Sequence, residues 1–347
     1  PYTWVMIMSI PVAFLYIFSI LLYNEYYVEK AKLRAVEIKK ERLTEWLKSG
    51  GWVGILPIVT VLAILFAGYT ITAAVVVATL VSIIAAFMVK PRPTGKDVLE
   101  GLANGFKLLI SVGSSIVVAN FIMAMVVVSG LGTTFSIYLV NISQTLYIAM
   151  AFAAVFSLIL GMGVPPTATY ITASLLTAPA IVKFATASGM PEQAALLATH
   201  MFLFYYAVLA DITPPVGLSN FAAASVFGVN PIGVGIKAAR VALPKYIIAA
   251  LFLTSYETTA LLIMPTYLTA GLQYTISMFF TRLFLTIGAI WAFTIANVGW
   301  AAGKSLSLLY RIMALLIGGL LIVPSLVLNV TGAVLLLLFY LYTKFRL

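Results

Sequence analysis

The chain has no cysteine and a single histidine, His200, and only 9% of its 347 residues are charged. Without cysteine it can form neither a disulfide nor a thiolate metal site, and it has no thiol nucleophile. One histidine also argues against a histidine-rich metal centre. Soluble domains carry about 25% charged residues, so the scarcity of charge and the 63% of hydrophobic residues predict an all-α polytopic membrane protein in a lipid bilayer.

Apolar stretches long enough to cross a bilayer dominate the sequence. They lie at 4–23, 52–68, 70–89, 112–129, 246–263, 283–299, 306–323 and 326–342. Together with an interrupted region at 134–228 they predict about nine transmembrane spans and one re-entrant hairpin. Shorter surface arms are expected at 99–111 and 231–243.

Two proline pairs interrupt the region 134–228, in Gly161-Met-Gly-Val-Pro-Pro-Thr-Ala-Thr-Tyr170 and Ala210-Asp-Ile-Thr-Pro-Pro-Val-Gly217. Adjacent prolines remove two backbone donors and clash with the preceding turn, so a helix must stop there and restart. Within hydrocarbon, the freed backbone is tolerated only where it lines a cavity or is buried in protein. We predict a re-entrant hairpin at 145–183, with its tip near mid-bilayer, and a discontinuous helix at 195–228. Such interrupted spans mark the binding site of a transporter.

The chain has a net charge of +10, and its basic residues lie mostly between the apolar stretches. By the positive-inside rule the basic loops around Lys40, Lys96, Lys237 and Lys304 are cytoplasmic, with Pro1 outside and the C-terminus inside. No interleaving of aromatic and basic residues predicts a nucleic-acid surface. The polar segment 24–50 is expected to form a cytoplasmic amphipathic linker helix, and a solvated linker is the alternative.

The two breaks carry the chemistry. Pro165 and Pro166 are suited to opening a helix whose free N–H groups face the break, and Thr213 is expected to N-cap the helix after the second break. Two helix N-termini in one cavity make an anion site, whereas carbonyls at the preceding helix ends suit sodium. The alternative is a pair of structural kinks in a packed bundle.

Candidate residues follow from this chemistry. The substrate is expected to contact Pro165, Pro166, Thr167, Thr169 and Asn220. The cation is expected to contact Gly161, Met162, Gly163, Asp211, Ile212, Thr213 and Gly217. No metal beyond a possible sodium ion, and no cofactor beyond a coupling Na⁺ or H⁺, is expected.

Asp211, His200 and Arg282 are ionisable residues that lie within or next to apolar regions. Asp211 is the only carboxylate in the predicted membrane interior, where charge is costly, and it serves either a local backbone cap or ion coupling. His200 is expected to be a buried, hydrogen-bonded histidine more readily than a proton relay. Arg282, close to the end of a predicted span, is expected to snorkel to the interface.

The hairpin tip, with Ala178-Pro-Ala180 behind it, resembles the membrane subunit of tripartite ATP-independent periplasmic (TRAP) transporters. It is most similar to the TAXI-type fused permeases, whose tip reads Gly-Met-Gly-Leu-Pro-Thr-Thr-Ala. The second break, followed by Asn220-Phe-Ala-Ala-Ala, resembles the break in that family's second repeat. Pro166 departs from the pattern, since the family often has threonine there.

The resemblance implies an elevator-type secondary transporter, driven by a sodium or proton gradient, in a prokaryotic plasma membrane. Its substrate, a small carboxylate such as a dicarboxylate or keto acid, would come from an extracytoplasmic substrate-binding protein. Neither the small scaffold subunit nor the first hairpin is found in these residues, so the chain is expected to be the C-terminal half of a permease whose start lies upstream.

The predicted organisation has four parts. They are a helix after the missing first repeat (1–23), the linker (24–50), the second inverted repeat (51–263) and a C-terminal transmembrane extension (264–347). Another elevator-type carboxylate symporter is the first alternative, and a non-transporting docking subunit is the second. An enzyme is least favoured, because one histidine and no cysteine offer no evident nucleophile and base.

Overall fold

The computed structural model describes residues 2–33, 43–162, 164–215 and 217–345. Most of them are helical, which confirms the all-α expectation. The α-helices are α1 (Tyr2–Lys30), α2 (Leu43–Lys48), α3 (Trp52–Phe66), α4 (Ile71–Ala86), α5 (Gly95–Val128), α6 (Leu131–Ser143), α7 (Leu146–Leu160), α8 (Pro166–Ala187), α9 (Glu192–Ala210), α10 (Leu218–Phe227), α11 (Pro231–Val241), α12 (Leu243–Leu251), α13 (Met264–Ala270), α14 (Leu272–Val298), α15 (Leu308–Ile322) and α16 (Leu326–Phe345). A 3₁₀ helix covers Thr258–Leu262, and a two-stranded antiparallel hairpin joins β1 (Trp300–Ala301) to β2 (Lys304–Ser305).

Within the described ranges, five helices are long and apolar enough to cross a membrane. They are Tyr2–Lys30, Pro166–Ala187, Glu192–Ala210, Leu272–Val298 and Leu326–Phe345. Shorter apolar helices are Trp52–Phe66, Ile71–Ala86, Thr134–Ser143, Leu146–Leu160 and Leu308–Ile322. The chain is therefore a multi-pass membrane protein, as its composition predicts.

Contacts divide the chain into two units. The first comprises Pro1–Met6 and Ala35–Ser114, in which α3 packs against α4. The second comprises Ile7–Arg34 and Ser115–Leu347 and contains both proline breaks. The four-part organisation expected from the sequence remains a prediction.

Several helices are longer than predicted. The first span continues through 24–30, which were assigned to the linker, while 34–42 lie outside the described residues. The arm expected at 99–111 and the span at 112–129 are one helix, α5, whose sequence contains no proline to separate them. Helix α6 begins at Leu131, directly after Gly130.

The predicted span 246–263 is wrong. Helix α12 ends at Leu251, and the chain turns before the 3₁₀ helix at Thr258–Leu262. Ser255 and Thr258 form reciprocal bonds there: Ser255 N donates to Thr258 Oγ1 at 3.0 Å, and Thr258 N donates to Ser255 Oγ at 3.2 Å. Hydroxyls that bond local backbone compete with helical hydrogen bonds, which explains the interruption of an apolar run.

Arg282 does not snorkel. It is only 6% exposed, forms an ion pair with Glu257 and donates from Nη1 to Asn329 Oδ1 at 3.2 Å. The prediction placed it near a span end, but α14 already begins at Leu272, so Arg282 lies inside the helix. A buried cation requires partners of this kind.

Basic residues from different segments meet at one end of the second unit. Lys30 Nζ donates to Val298 O at 2.5 Å, at the C-terminal end of α14. Arg311 Nη2 donates to Asn297 O at 3.1 Å, and Asn297 Nδ2 donates to Arg240 O at 2.6 Å. Cations commonly bond the last carbonyls of a helix in this way. The ends of α1, α11 and α14 and the start of α15 therefore lie together.

Small side chains bring α7, α8 and α9 close together. The buried face of α7 carries Ala149, Ala153 and Ser157 at every fourth position, and Gly161 follows at the next. Helix α8 packs against both α7 and α9. In membranes, small residues let helix backbones approach closely, and here they bring the hairpin tip up to α9.

Candidate functional site

The first break separates α7 from α8. Gly161 caps α7, with its N–H donating to Ser157 O at 3.0 Å, and Met162 N donates to Ile159 O at 3.2 Å. Helix α8 begins at Pro166, directly after Pro165. Proline at the first helical position loses no bond, because its missing N–H would have no partner there. The helix interruption falls where the proline pair predicts it, and Gly163 lies outside the described residues.

The second break separates α9 from α10. Asp211 caps α9, and tight turns follow, in which Ile212 N donates to Leu209 O at 3.2 Å. Helix α10 begins at Leu218, after Gly217. The interruption again covers the predicted residues, among which Val216 is outside the described part of the chain.

The two breaks are in contact. A Cβ placed on Gly161 would lie 2.2 Å from Ala210 Cβ and 3.2 Å from Thr169 Cγ2. No side chain fits at such distances, so glycine is required where the hairpin tip touches the last residue of α9. The hairpin tip therefore lies beside the second break, as predicted, and a site shared by the two breaks stays a prediction.

The first turn of α10 folds back over the second break. Asn220, only 4% exposed, donates from Nδ2 to Ile212 O at 3.1 Å. The Ser219 hydroxyl donates to Asp211 Oδ2. A Cβ on Gly217 would lie 2.5 Å from Asp211 O and 2.4 Å from Asn220 Nδ2. These bonds hold Asp211 and the carbonyl of Ile212 in defined positions.

Thr213 does not cap α10, contrary to the sequence prediction. Its hydroxyl donates backward to Leu209 O at 2.6 Å and lies 2.6 Å from the Tyr246 hydroxyl. The position before α10 is occupied by Gly217, which has no side chain to form a cap. Thr213 is too far from Leu218 along the chain to cap α10. Its hydroxyl bonds the last turn of α9 instead.

The predicted substrate hydroxyls differ in exposure. Thr167 is exposed in the first turn of α8. Thr169 is only 1% exposed, and its hydroxyl donates to Pro165 O at 3.2 Å. Pro165 and Pro166 are half-buried. Of the two hydroxyls, the one at Thr167 is accessible, and the one at Thr169 lies behind the tip.

A buried hydroxyl beside the tip was missed by the sequence reasoning. Ser157 is fully buried, and within the described residues its Oγ has no hydrogen-bond partner. It lies one helical turn before Gly161, whose N–H bonds its carbonyl. Its place in the small-residue face of α7 was the only available signal.

His200 is hydrogen-bonded, as the simpler interpretation expects. Its Nδ1 lies 2.9 Å from the Tyr170 hydroxyl, and the ring of Tyr170 also meets Phe204 edge to face. Tyr170 is in the second turn of α8, so this pair fastens α8 to α9 close to the tip.

Contacts through α12 link the second break to the middle of α1. Tyr16, midway along α1, donates to Lys245 O at 3.2 Å. The next residue, Tyr246, contacts Thr213. Because α1 is long enough to span a membrane, this contact relates the break to the centre of a spanning helix.

Two apolar helices that are interrupted side by side are typical of the binding sites of secondary membrane transporters. The family model described as "Tripartite ATP-independent periplasmic transporter, DctM component" matches residues 1–259, and the chain belongs to this family. It is thus the permease component of a TRAP transporter. No curated protein and no solved structure matches the chain.

Membership in this family indicates the partner proteins of the chain and its cellular location. The family implies a substrate-binding protein and a small subunit as partners, and the prokaryotic inner membrane as the expected location. The match ends before α13, so the last four helices lie beyond it.

Proposed function

We propose that this chain is the permease component of a TAXI-type TRAP transporter that imports a small carboxylate together with sodium. The contact between Gly161 and Ala210 carries the proposal, because it brings the two interrupted helices side by side, where both can contribute to one site. The TAXI assignment rests on the tip sequence from Gly161 to Thr167. A dicarboxylate or keto acid is the expected substrate.

The substrate carboxylate binds at the helix starts. Helices α8 and α10 begin at Pro166 and Leu218, beside the breaks, and their first N–H groups have no partner within the helix. The positive ends of the two helix dipoles favour an anion there. Thr167 provides an exposed hydroxyl, while Asn220 and the buried Thr169 shape the site from behind.

Sodium binds at the helix ends. We expect the oxygen ligands to be the carbonyls that follow α7 and α9 in sequence, from Gly161 to Gly163 and from Asp211 to Thr213, since half-helix ends offer such ligands to Na⁺. The Asp211 carboxylate adds a negative charge beside them. A bound cation next to the carboxylate site also lowers the cost of holding the substrate's charge in the membrane.

Transport proceeds from the outer face to the cytoplasm. The end of the second unit that gathers Lys30, Arg240 and Arg311 is cytoplasmic by the positive-inside rule, which puts Pro1 outside. The binding protein delivers substrate from the outer side. The site moves with the two breaks in an elevator motion, and a first repeat with its own hairpin completes it. The small subunit serves as the fixed scaffold.

Uptake by the complete system in proteoliposomes tests this proposal. The permease, small subunit and binding protein are reconstituted, and uptake of a panel of labelled dicarboxylates and keto acids is measured. An inward sodium gradient should drive uptake of at least one substrate, and replacing sodium by choline should abolish it. Uptake driven by a pH gradient alone would assign the coupling to protons. Uptake that is independent of both ions contradicts the coupling, and a complex that transports nothing favours a docking role.

A further inference from the structure

Tyr246 is joined to the second break by a chain of hydroxyl groups. Its Oη lies 2.6 Å from Thr213 Oγ1, and Thr213 Oγ1 donates to Leu209 O at 2.6 Å. A threonine hydroxyl has one proton. Because that proton is given to Leu209 O, the Tyr246 hydroxyl must be the donor in the first bond.

This assignment determines what remains free on Thr213. Its oxygen has two lone pairs, of which Tyr246 occupies one. The second lone pair is available to a ligand that accepts electron density, such as a cation. A hydroxyl oxygen that accepts a hydrogen bond and donates another is also held in one orientation. Thr213 therefore presents a fixed oxygen at the break.

Tyr246 is itself held from two directions. Tyr206, on α9, donates from Oη to Tyr246 O at 2.9 Å. The neighbouring carbonyl of Lys245 accepts from Tyr16 on α1 at 3.2 Å. Tyr246 thus belongs to a frame built from α1, α9 and α12, and it can set the position of Thr213 without touching either ligand.

We infer that Tyr246 is a positioning residue that orients the Thr213 oxygen toward the cation and thereby sets the transporter's affinity for sodium. The inference rests on the proposed function. Without the tyrosine hydroxyl, the Thr213 hydroxyl keeps its bond to Leu209 O but loses the hydrogen bond from Tyr246, so its orientation is less fixed. The cation then meets a less well-oriented ligand, whereas the substrate's contacts at α8 are unchanged.

The variant that tests this is Tyr246→Phe, which removes one hydroxyl and keeps the ring. In reconstituted transporter, the sodium concentration for half-maximal uptake should rise by about threefold to tenfold, the range expected for one lost hydrogen bond. Uptake at saturating sodium should stay within about twofold of the unmodified protein. The substrate KM at saturating sodium should be unchanged.

Tyr206→Phe is the matched control. It loses a bond to the Tyr246 carbonyl but removes nothing from Thr213, so its sodium dependence should equal that of the unmodified protein. Thr213→Val should raise the half-maximal sodium concentration at least as much as Tyr246→Phe. The double variant should add nothing further, because both changes interrupt one interaction.

The outcomes separate this inference from the proposed function. Sodium-dependent uptake that Tyr246→Phe leaves unaltered overturns the inference alone. Equal shifts in Tyr246→Phe and Tyr206→Phe also overturn it, since the frame as a whole would then be responsible. If uptake by the unmodified protein does not depend on sodium, both the sodium assignment and this inference are overturned.

Discussion

Gly161, at the tip of the hairpin, lies directly against the side chain of Ala210, the last residue of α9. Two interrupted helices that are about fifty residues apart in sequence thus share one point of contact. Each break places the end of one helix next to the start of another, whose first N–H groups have no partner within the helix. The proposed anion and cation would therefore bind next to each other.

The contact at Gly161 predicts a compensating pair of substitutions. Gly161→Ala introduces a Cβ at 2.2 Å from Ala210 Cβ, and overpacking of this kind costs about 1–3 kcal/mol. Thermal unfolding in detergent should show a lower Tm, and uptake should fall. Adding Ala210→Gly should restore much of both.

Gly233→Ala, where a Cβ would meet open space, is the control for a general effect of replacing glycine in a helix. It should be neutral or slightly stabilising. A Gly161→Ala protein as stable as the parent, or one that Ala210→Gly fails to rescue, would show that the tip does not rest on Ala210.

The two tip threonines should behave differently when changed to valine. Thr167 is exposed at the start of α8, so Thr167→Val should raise the substrate KM by about tenfold, as for loss of a hydrogen bond to a charged group. Its Tm should stay close to that of the parent. Thr169 is buried and bonded to Pro165 O, so Thr169→Val should mainly lower the Tm. Measured KM and Tm values that exchange these two patterns would contradict the assignment.

The proline pairs and glycines were sufficient to locate both breaks, because proline acts on its own helix without help from distant residues. The fate of Thr213 was not predictable in the same way. Its partner Tyr246 lies on another helix, and nothing local in the sequence indicates that pairing. The N-cap expectation failed because capping depends on where the next helix begins, and α10 starts only at Leu218.

Errors elsewhere in the fold have similar causes. Arg282 was placed near an interface because the start of α14 was assigned too late, and its partner Glu257 precedes the turn at Thr258–Leu262. The interruption after α12 lies within an apolar run, so hydropathy does not reveal it. It depends on bonds between hydroxyls and local backbone. Sequence hydropathy finds apolar segments but not the side-chain bonds that divide them.

In sodium-free buffer, removing the Ser157 hydroxyl should stabilise the protein. Its Oγ is buried without a partner among the described residues, and leaving such a group unpaired costs about 1–3 kcal/mol. Ser157→Ala should therefore raise the Tm. Ser136 is the matched control, since its buried hydroxyl donates to Leu176 O at 2.7 Å, and Ser136→Ala should lower the Tm. A lower Tm for Ser157→Ala would mean that its hydroxyl has a stabilising partner.

The orientation can be measured by cysteine labelling, because the chain has no cysteine of its own. A cysteine at Lys304, in the two-stranded hairpin after α14, should react with a membrane-impermeant maleimide only after the membrane is opened. A cysteine at Gly189, between α8 and α9, should react in intact cells. The opposite pattern would reverse the topology and the direction in which substrate reaches the site.

The shared site is tested most directly by measuring substrate binding to the purified complete transporter at a series of sodium concentrations, with choline keeping the ionic strength constant. If anion and cation occupy adjoining halves of one site, sodium must tighten substrate binding, and substrate must tighten sodium binding by the same factor. We expect that factor to lie between about fivefold and 150-fold, the usual range for coupled sites. Substrate affinity that is identical at every sodium concentration would contradict the account.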